Sequence, residues 1–138
     1  HDIGKIGIPD RILLKPAPLD EAEMEQMQQH TILGEHLIST MSHLRGIARD
    51  VVLHHHERWD GSGYPWGCAG EAIPLAARIF AVADAFDALT SNRPYRDAVS
   101  THEALSEIRC HSGTQFDPAI VDVLMTTRAL LISPPQAA

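Results

Sequence analysis

The stretch PLAARIFAVADAFDALTS, Pro74 to Ser91, decides the fold class. It is apolar over most of its length, holds no internal glycine and opens on proline, which fits the first turn of a helix. Ala77, Ala81, Asp84 and Ala88 recur at helical spacing on one face. Small residues on one face let neighbouring helices approach closely. A carboxylate in that seam, Asp84, needs a cation or several donors. Asp87, three residues on, reads equally as a second carboxylate behind the site or as a surface charge.

The same punctuation extends outward from this helix. Downstream, Ser100 with Glu103 forms a capping box that opens a fourth helix. Asp117-Pro118 opens a fifth, spanning Ile120 to Leu131, and SPPQAA, residues 133–138, is a frayed tail. Upstream, Arg58 to Ile73 is a glycine-rich loop. A second helix runs from about Leu44, with Leu44, Ile47, Ala48, Val51 and Val52 as its buried face. Asp20, with Glu23 as its capping partner, opens a first helix whose stripe is Met24, Met27, Gly34, Ile38 and Met41. Residues 1–18 are a short element and a loop, because Pro9, Pro16 and Pro18 forbid a long helix. No alternating strand pattern, repeat or low-complexity segment occurs, so the class is all-α, in one domain over residues 1–132.

Composition narrows the function. The chain has 138 residues, 44% hydrophobic and 21% charged, as expected of a globular domain. No apolar run is long enough to span a bilayer. The net charge of −7 argues against a DNA-binding surface. Cys68 and Cys110 stand far apart without ligand spacing and read as reduced thiols of a cytoplasmic protein. Nine histidines are scattered along the chain, a high count for its length. Histidine is the commonest metal ligand.

Their positions carry the chemistry. In VVLHHHERWDGSGYP, Val51 to Pro65, His55 and His56 follow Val51 and Val52 by one turn, so both continue the apolar face. Two buried imidazoles without partners cost a few kcal/mol, roughly, and a metal ion removes that cost. His54 points sideways. His30 lies on the buried stripe beside Gly34, and glycine in mid-helix costs roughly 1 kcal/mol against alanine. Close approach of another helix explains it. At the start of the chain, His1 and Asp2 are adjacent, and Lys5 stands one turn later, where its ammonium can sit beside them. Mixed imidazole and carboxylate donors favour iron, manganese or zinc. Several together can hold two or more ions, a centre that activates water and clamps a phosphoryl group. Arg93 and Arg96, flanking Pro94 in SNRPYR, suit bidentate phosphate contacts or a helix C-terminus.

Taken together, HDIGKIGIPDRILLKPAPL, MQQHTILGEHL, HHERWDGSGYPWG, IPLAARIFAVADAFDALTSNRPYR and SGTQFDP, in this order, closely resemble the HD-GYP domains, a subgroup of the HD-domain metallophosphohydrolases. The resemblance covers about residues 1–125. It implies a helical bundle with two or three divalent ions, usually iron or manganese. It implies hydrolysis of cyclic di-GMP to pGpG and on to GMP. By motif, His1, Asp2, His30, His55, His56 and Asp84 correspond to metal ligands, with Asp2 bridging. Lys5 corresponds to the lysine at the reacting phosphate, and Arg93 and Arg96 to the pair that grips the substrate phosphates. Gly63, Tyr64 and Pro65 form the loop that shapes the site mouth and meets partner proteins, GGDEF-domain proteins among them.

Two departures stand out. Ala17 replaces a common glycine, a loop detail. The family also has helices before the HD pair, which in trinuclear members supply a glutamate and a histidine. The expectation is therefore a bundle lacking its first helices, with a sensor or receiver domain upstream. The alternative reading is a degenerate HD-GYP module that senses the dinucleotide or docks a diguanylate cyclase without hydrolysis.

Overall fold

The structure is a computed structural model that describes residues 1–41, 44, 46–92 and 97–128. Among the described residues an opening 3-10 helix, Asp2–Gly7, leads into seven α-helices: α1 Asp10–Leu13, α2 Glu21–Gln28, α3 His30–Ser39, α4 Ile47–His54, α5 Leu75–Thr90, α6 Thr101–Cys110 and α7 Pro118–Thr127. A second 3-10 turn, Gly70–Ala72, closes the long loop before α5. Among the described residues there is no strand, only the isolated bridges Asp60–Ala69 and Ser112–Phe116. None of the described helices is long and apolar enough to cross a membrane.

Helix starts follow local chemistry. Asp20 and Ser100 each accept from the backbone N–H three residues on, and Glu23 and Glu103 return the bond, so α2 and α6 open on capping boxes. Asp117 caps α7, with Pro118 in its first turn. Two starts differ from the sequence expectation. The helix opened at Asp20 divides at Gln29, whose N–H bonds back to the carbonyl of Gln26, a 3-10 contact that tightens the turn. The apolar stripe therefore serves two helices, and Met24 and Met41 are exposed. The helix expected from Leu44 begins at Ile47, because Gly46 takes a positive φ of 85° that ends any regular turn there. Ile47 consequently faces solvent at 73% exposure, and Val52 is the buried residue of α4.

Two packed halves meet at α4 and α5. In one half, Val82, Ile108, Phe116 and Val121 join α5, α6 and α7 in an apolar cluster flanked by Phe86, Leu89 and Leu124. Arg78 ties this half together. Its guanidinium donates to Asp117 Oδ2 at 2.6 Å and to the Ile73 carbonyl at 2.9 Å, while Asp117 caps Ala119 N–H. In the other half the opening 3-10 helix lies on α3, and α3 packs on α4. The first of these contacts is backbone on backbone. A Cβ on Gly4 would lie 1.9 Å from the His30 carbonyl oxygen and 2.4 Å from Gly34 N. A Cβ on Gly34 would meet Val52 at 2.8 Å. The two glycines thus let Asp2 approach the start of α3, which is the close approach expected beside His30.

Candidate metal centre

Three elements aim their donors at one point. Asp2 opens the 3-10 helix, His30 opens α3, and His55 and His56 follow directly on α4. One donor atom from each of these four residues lies within 4.8 Å of every other. His30 and His55 are buried, at 1% and 6% exposure. Their Nε2 atoms stand 3.4 and 3.6 Å from Asp2 Oδ1 and 3.4 Å from each other.

Proton positions follow from the partners behind the rings. His30 Nδ1 lies 2.8 Å from the Met27 carbonyl, and His55 Nδ1 lies 3.1 and 3.0 Å from the carbonyls of Val51 and Val52. A carbonyl only accepts, so each Nδ1 carries the hydrogen and each neutral ring turns a lone pair inward through Nε2. Two lone pairs then face each other across 3.4 Å, beside a buried Asp2 Oδ1 that has no hydrogen-bond partner. A cation among them satisfies all three atoms, and carbonyl-oriented imidazoles are the usual arrangement behind metal ligands. The donor set therefore fits divalent metal ions.

The charges agree with this geometry. Burial pushes the Asp2 carboxyl up, but the Lys5 hydrogen bond and charge, with His30 and His55, outweigh it and hold Asp2 below the usual carboxylate range. Burial and the neighbouring His30 hold His55 below the ordinary histidine value. Burial, with His55 and His30 beside it, brings His56 down to about 3. The paired rings are thus neutral near neutral pH, not cations, and free to offer a lone pair.

His1, Lys5 and Asp84 surround the outer side. His1 Nε2 lies 3.4 Å from Asp2 Oδ2 and 3.9 Å from Asp84 Oδ1, so it stands between the two carboxylates. Lys5 Nζ donates to Asp2 Oδ2 at 2.6 Å. Asp2 thereby presents one oxygen to the buried imidazoles and the other to His1 and Lys5.

The loop after α4 makes the wall. Tyr64 stacks on His56, ring centroids 4.6 Å apart. Burial and the Asp2 charge push its phenol up to about 12. Gly63 lies so close to the chain that a Cβ would come within 2.4 Å of Arg58 N and 2.5 Å of the His56 carbonyl. A cavity of about 400 Å³ opens beside the cluster, lined by His56, Tyr64, Arg58, Ser62, Asp84 and Gln115 among others. Pro65 follows Tyr64 through a cis peptide bond.

The fold brings the donors of Asp2, His30, His55 and His56 together, with His1, Lys5, Asp84 and Tyr64 around them. Arg93, Pro94 and Arg96 lie outside the described residues. His54 turns away from the cluster, toward Glu57 and Cys68. Sequence reading gave Glu57 no role of its own; it is a buried carboxylate whose oxygens accept from the N–H groups of Trp66 and Cys68 at 2.9 and 3.0 Å and so hold the Tyr64 loop in place. An acidic residue directly after two inward histidines, where the chain leaves a helix, was its only signal.

These features define a class: an all-helical domain with a histidine–carboxylate centre at the meeting point of three elements. The HD domain family matches residues 1–120, and the chain belongs to that family. Its Gly63-Tyr64-Pro65 loop makes it an HD domain of the HD-GYP type. The cyclic di-GMP phosphodiesterase response regulator RpfG of Xanthomonas campestris is 51% identical over 132 residues, 95% of this chain and 35% of that protein. A cyclic di-GMP phosphodiesterase of Thermotoga maritima is 48% identical over 126 residues, 91% of this chain and 34% of that one. The chain thus spans about a third of the length of these relatives. Among solved structures, a cyclic GMP-AMP specific phosphodiesterase of Vibrio cholerae, V-cGAP3, shares the fold with a TM-score of 0.63 at 23% identity, over 94% of this chain and 33% of that one.

Proposed function

We propose that this domain is the catalytic unit of a metal-dependent phosphodiesterase that hydrolyses cyclic di-GMP to pGpG and then GMP. The observation that carries the reading is the pair of facing Nε2 lone pairs beside the orphaned Asp2 Oδ1. Asp2, His30, His55 and His56 would hold the metal, with His1 and Asp84 as the further donors for a second ion. The nitrogen and oxygen donors suit iron, manganese or zinc, and the resemblance to HD-GYP domains favours iron or manganese among them. When bound, such ions supply Lewis-acid charge and a water of lowered pKa.

The chain's own groups do the rest. Lys5 keeps Asp2 ionised and places its ammonium where a phosphoryl oxygen gains charge during reaction. Tyr64 and the adjoining cavity receive the substrate, and Arg93 and Arg96 grip its phosphates bidentately. Water adds to phosphorus, the bond to the ribose 3′ oxygen breaks, and that oxygen leaves with a proton. The relatives named as cyclic di-GMP phosphodiesterases support this substrate. We place the domain in the cytoplasm, fused to an upstream sensor or receiver domain and able to meet GGDEF-domain proteins through the Gly63-Tyr64-Pro65 loop.

The test is turnover by the full-length protein, purified anaerobically and loaded with iron or manganese. Chromatography should show cyclic di-GMP converted to pGpG and GMP, and Lys5→Ala should lower kcat by about a hundredfold. Unchanged substrate with metal bound would overturn the reading. Turnover confined to cyclic GMP-AMP would overturn the assigned substrate and keep the chemistry.

A further inference from the structure

A second cluster of ligand-type side chains lies on the far side of the α4 end. Donor atoms of His54, Glu57 and Cys68 fall within 4.8 Å of one another. Glu57 is fully buried in its side chain and His54 is 14% exposed. His54 Nδ1 is buried and has no hydrogen-bond partner. It lies 3.9 Å from Glu57 Oε1, too far for a hydrogen bond. Glu57 already accepts from two backbone N–H groups, so its carboxylate is fixed in place, with lone pairs left over. The Cys68 thiol stands against the same carboxylate, and burial with the Glu57 charge holds that thiol above its ordinary range.

Protein groups alone leave this arrangement unsatisfied, since an imidazole nitrogen is stranded beside a buried carboxylate. A divalent cation satisfies it. The ion removes the thiol proton, accepts the imidazole lone pair and neutralises the carboxylate. One nitrogen, one oxygen and one thiolate sulfur form a borderline-soft set that suits zinc, with water in the fourth position. The catalytic cluster, by contrast, offers no sulfur.

We infer that His54, Glu57 and Cys68 form a separate zinc site that fastens the loop carrying Gly63, Tyr64 and Pro65 to the end of α4. The site acts as a clasp. Glu57 reaches Trp66 and Cys68 directly, and the ion adds His54 to the same tie. It does not depend on the proposed reaction.

Cobalt(II) is the probe, because a cobalt–thiolate bond absorbs in the near ultraviolet and nitrogen–oxygen sites do not. The full chain, stripped of metal, is titrated with cobalt. The expected result is a saturable thiolate charge-transfer band whose final intensity corresponds to one cobalt–sulfur bond per chain and which zinc bleaches. The band survives Cys110→Ser, is lost in Cys68→Ser, and needs about tenfold more cobalt in His54→Gln. Zinc also shields Cys68 from alkylation in the unmutated protein, read by mass spectrometry, so the outcome does not hang on the folding of any variant. Visible bands from cobalt in the histidine–aspartate centre without a charge-transfer band overturn the inference. So does a band lost only in Cys110→Ser, or alkylation of Cys68 at an unchanged rate with zinc present.

Discussion

At the scale of single residues, the centre depends on two atoms that are absent. Gly4 and Gly34 lack Cβ, and only that lets the 3-10 helix bring Asp2 to within 3.4 Å of His30 Nε2. Gly4→Ala places a methyl 1.9 Å from a carbonyl oxygen, a contact that backbone must relieve by moving. It should lower stability by about 3 kcal/mol, at the upper end of overpacking costs. Because the shift carries Asp2 away from the imidazoles, manganese affinity should also fall, which titration calorimetry measures. A variant with unchanged metal affinity would show that the backbone contact does not set the position of Asp2.

At the scale of elements, α5 and α7 are joined by a charged pair as well as by apolar contact. Asp117, 4% exposed, both caps α7 and accepts from Arg78, whose side chain is 16% exposed. Asp117→Ala removes the cap and leaves a mostly buried guanidinium with only the Ile73 carbonyl and the Trp59 ring face. The expected loss is about 3 kcal/mol, combining a cap with a broken partly buried pair. Urea denaturation checks it, and a loss below about 1 kcal/mol would mean that solvent takes over Asp117's role. The Asp2, His30, His55 and His56 donors lie in the other half, so affinity for an ion held by those four should hardly change.

For the whole molecule, the centre is a store of unfavourable burial that pH and metal both reveal. His56 has a folded value of about 3 against 6.5 when unfolded. Between those values the unfolded chain binds a proton that the folded one does not, so stability rises with pH across the window and is full above 6.5. Metal-free protein should therefore lose stability as pH falls from 6.5 toward 3, and His56→Gln should flatten that slope in denaturation curves. The lowered Asp2 carboxyl adds loss in the same direction below 3.8. Manganese at a hundredfold excess over Kd should stabilise by about 2.7 kcal/mol per site, seen as a rise in Tm.

Much of this architecture was legible in the order of residues. Pro74, Ser100-Glu103, Asp117-Pro118 and Asp20-Glu23 mark helix starts because each acts within one turn of itself. His30, His55 and His56 were legible as inward side chains because helical periodicity fixes the face on which a residue falls. The same local logic failed where a backbone conformation or a distant element intervened. The helix breaks at Gln29 and Gly46, and the exposure of Met24, Met41 and Ile47, depend on how neighbouring segments turn and pack. Spacing alone dismissed Cys68 as a ligand, since it is remote from any histidine along the chain. Only the fold of the loop back onto α4, held by Glu57, sets its sulfur beside His54. The sequence by itself determined that His30 and His55 point inward, since periodicity fixes the face of a helix on which a residue falls. Tertiary structure decided which of them meet, since that requires two backbones to come within touching distance, as they do at Gly4 and Gly34.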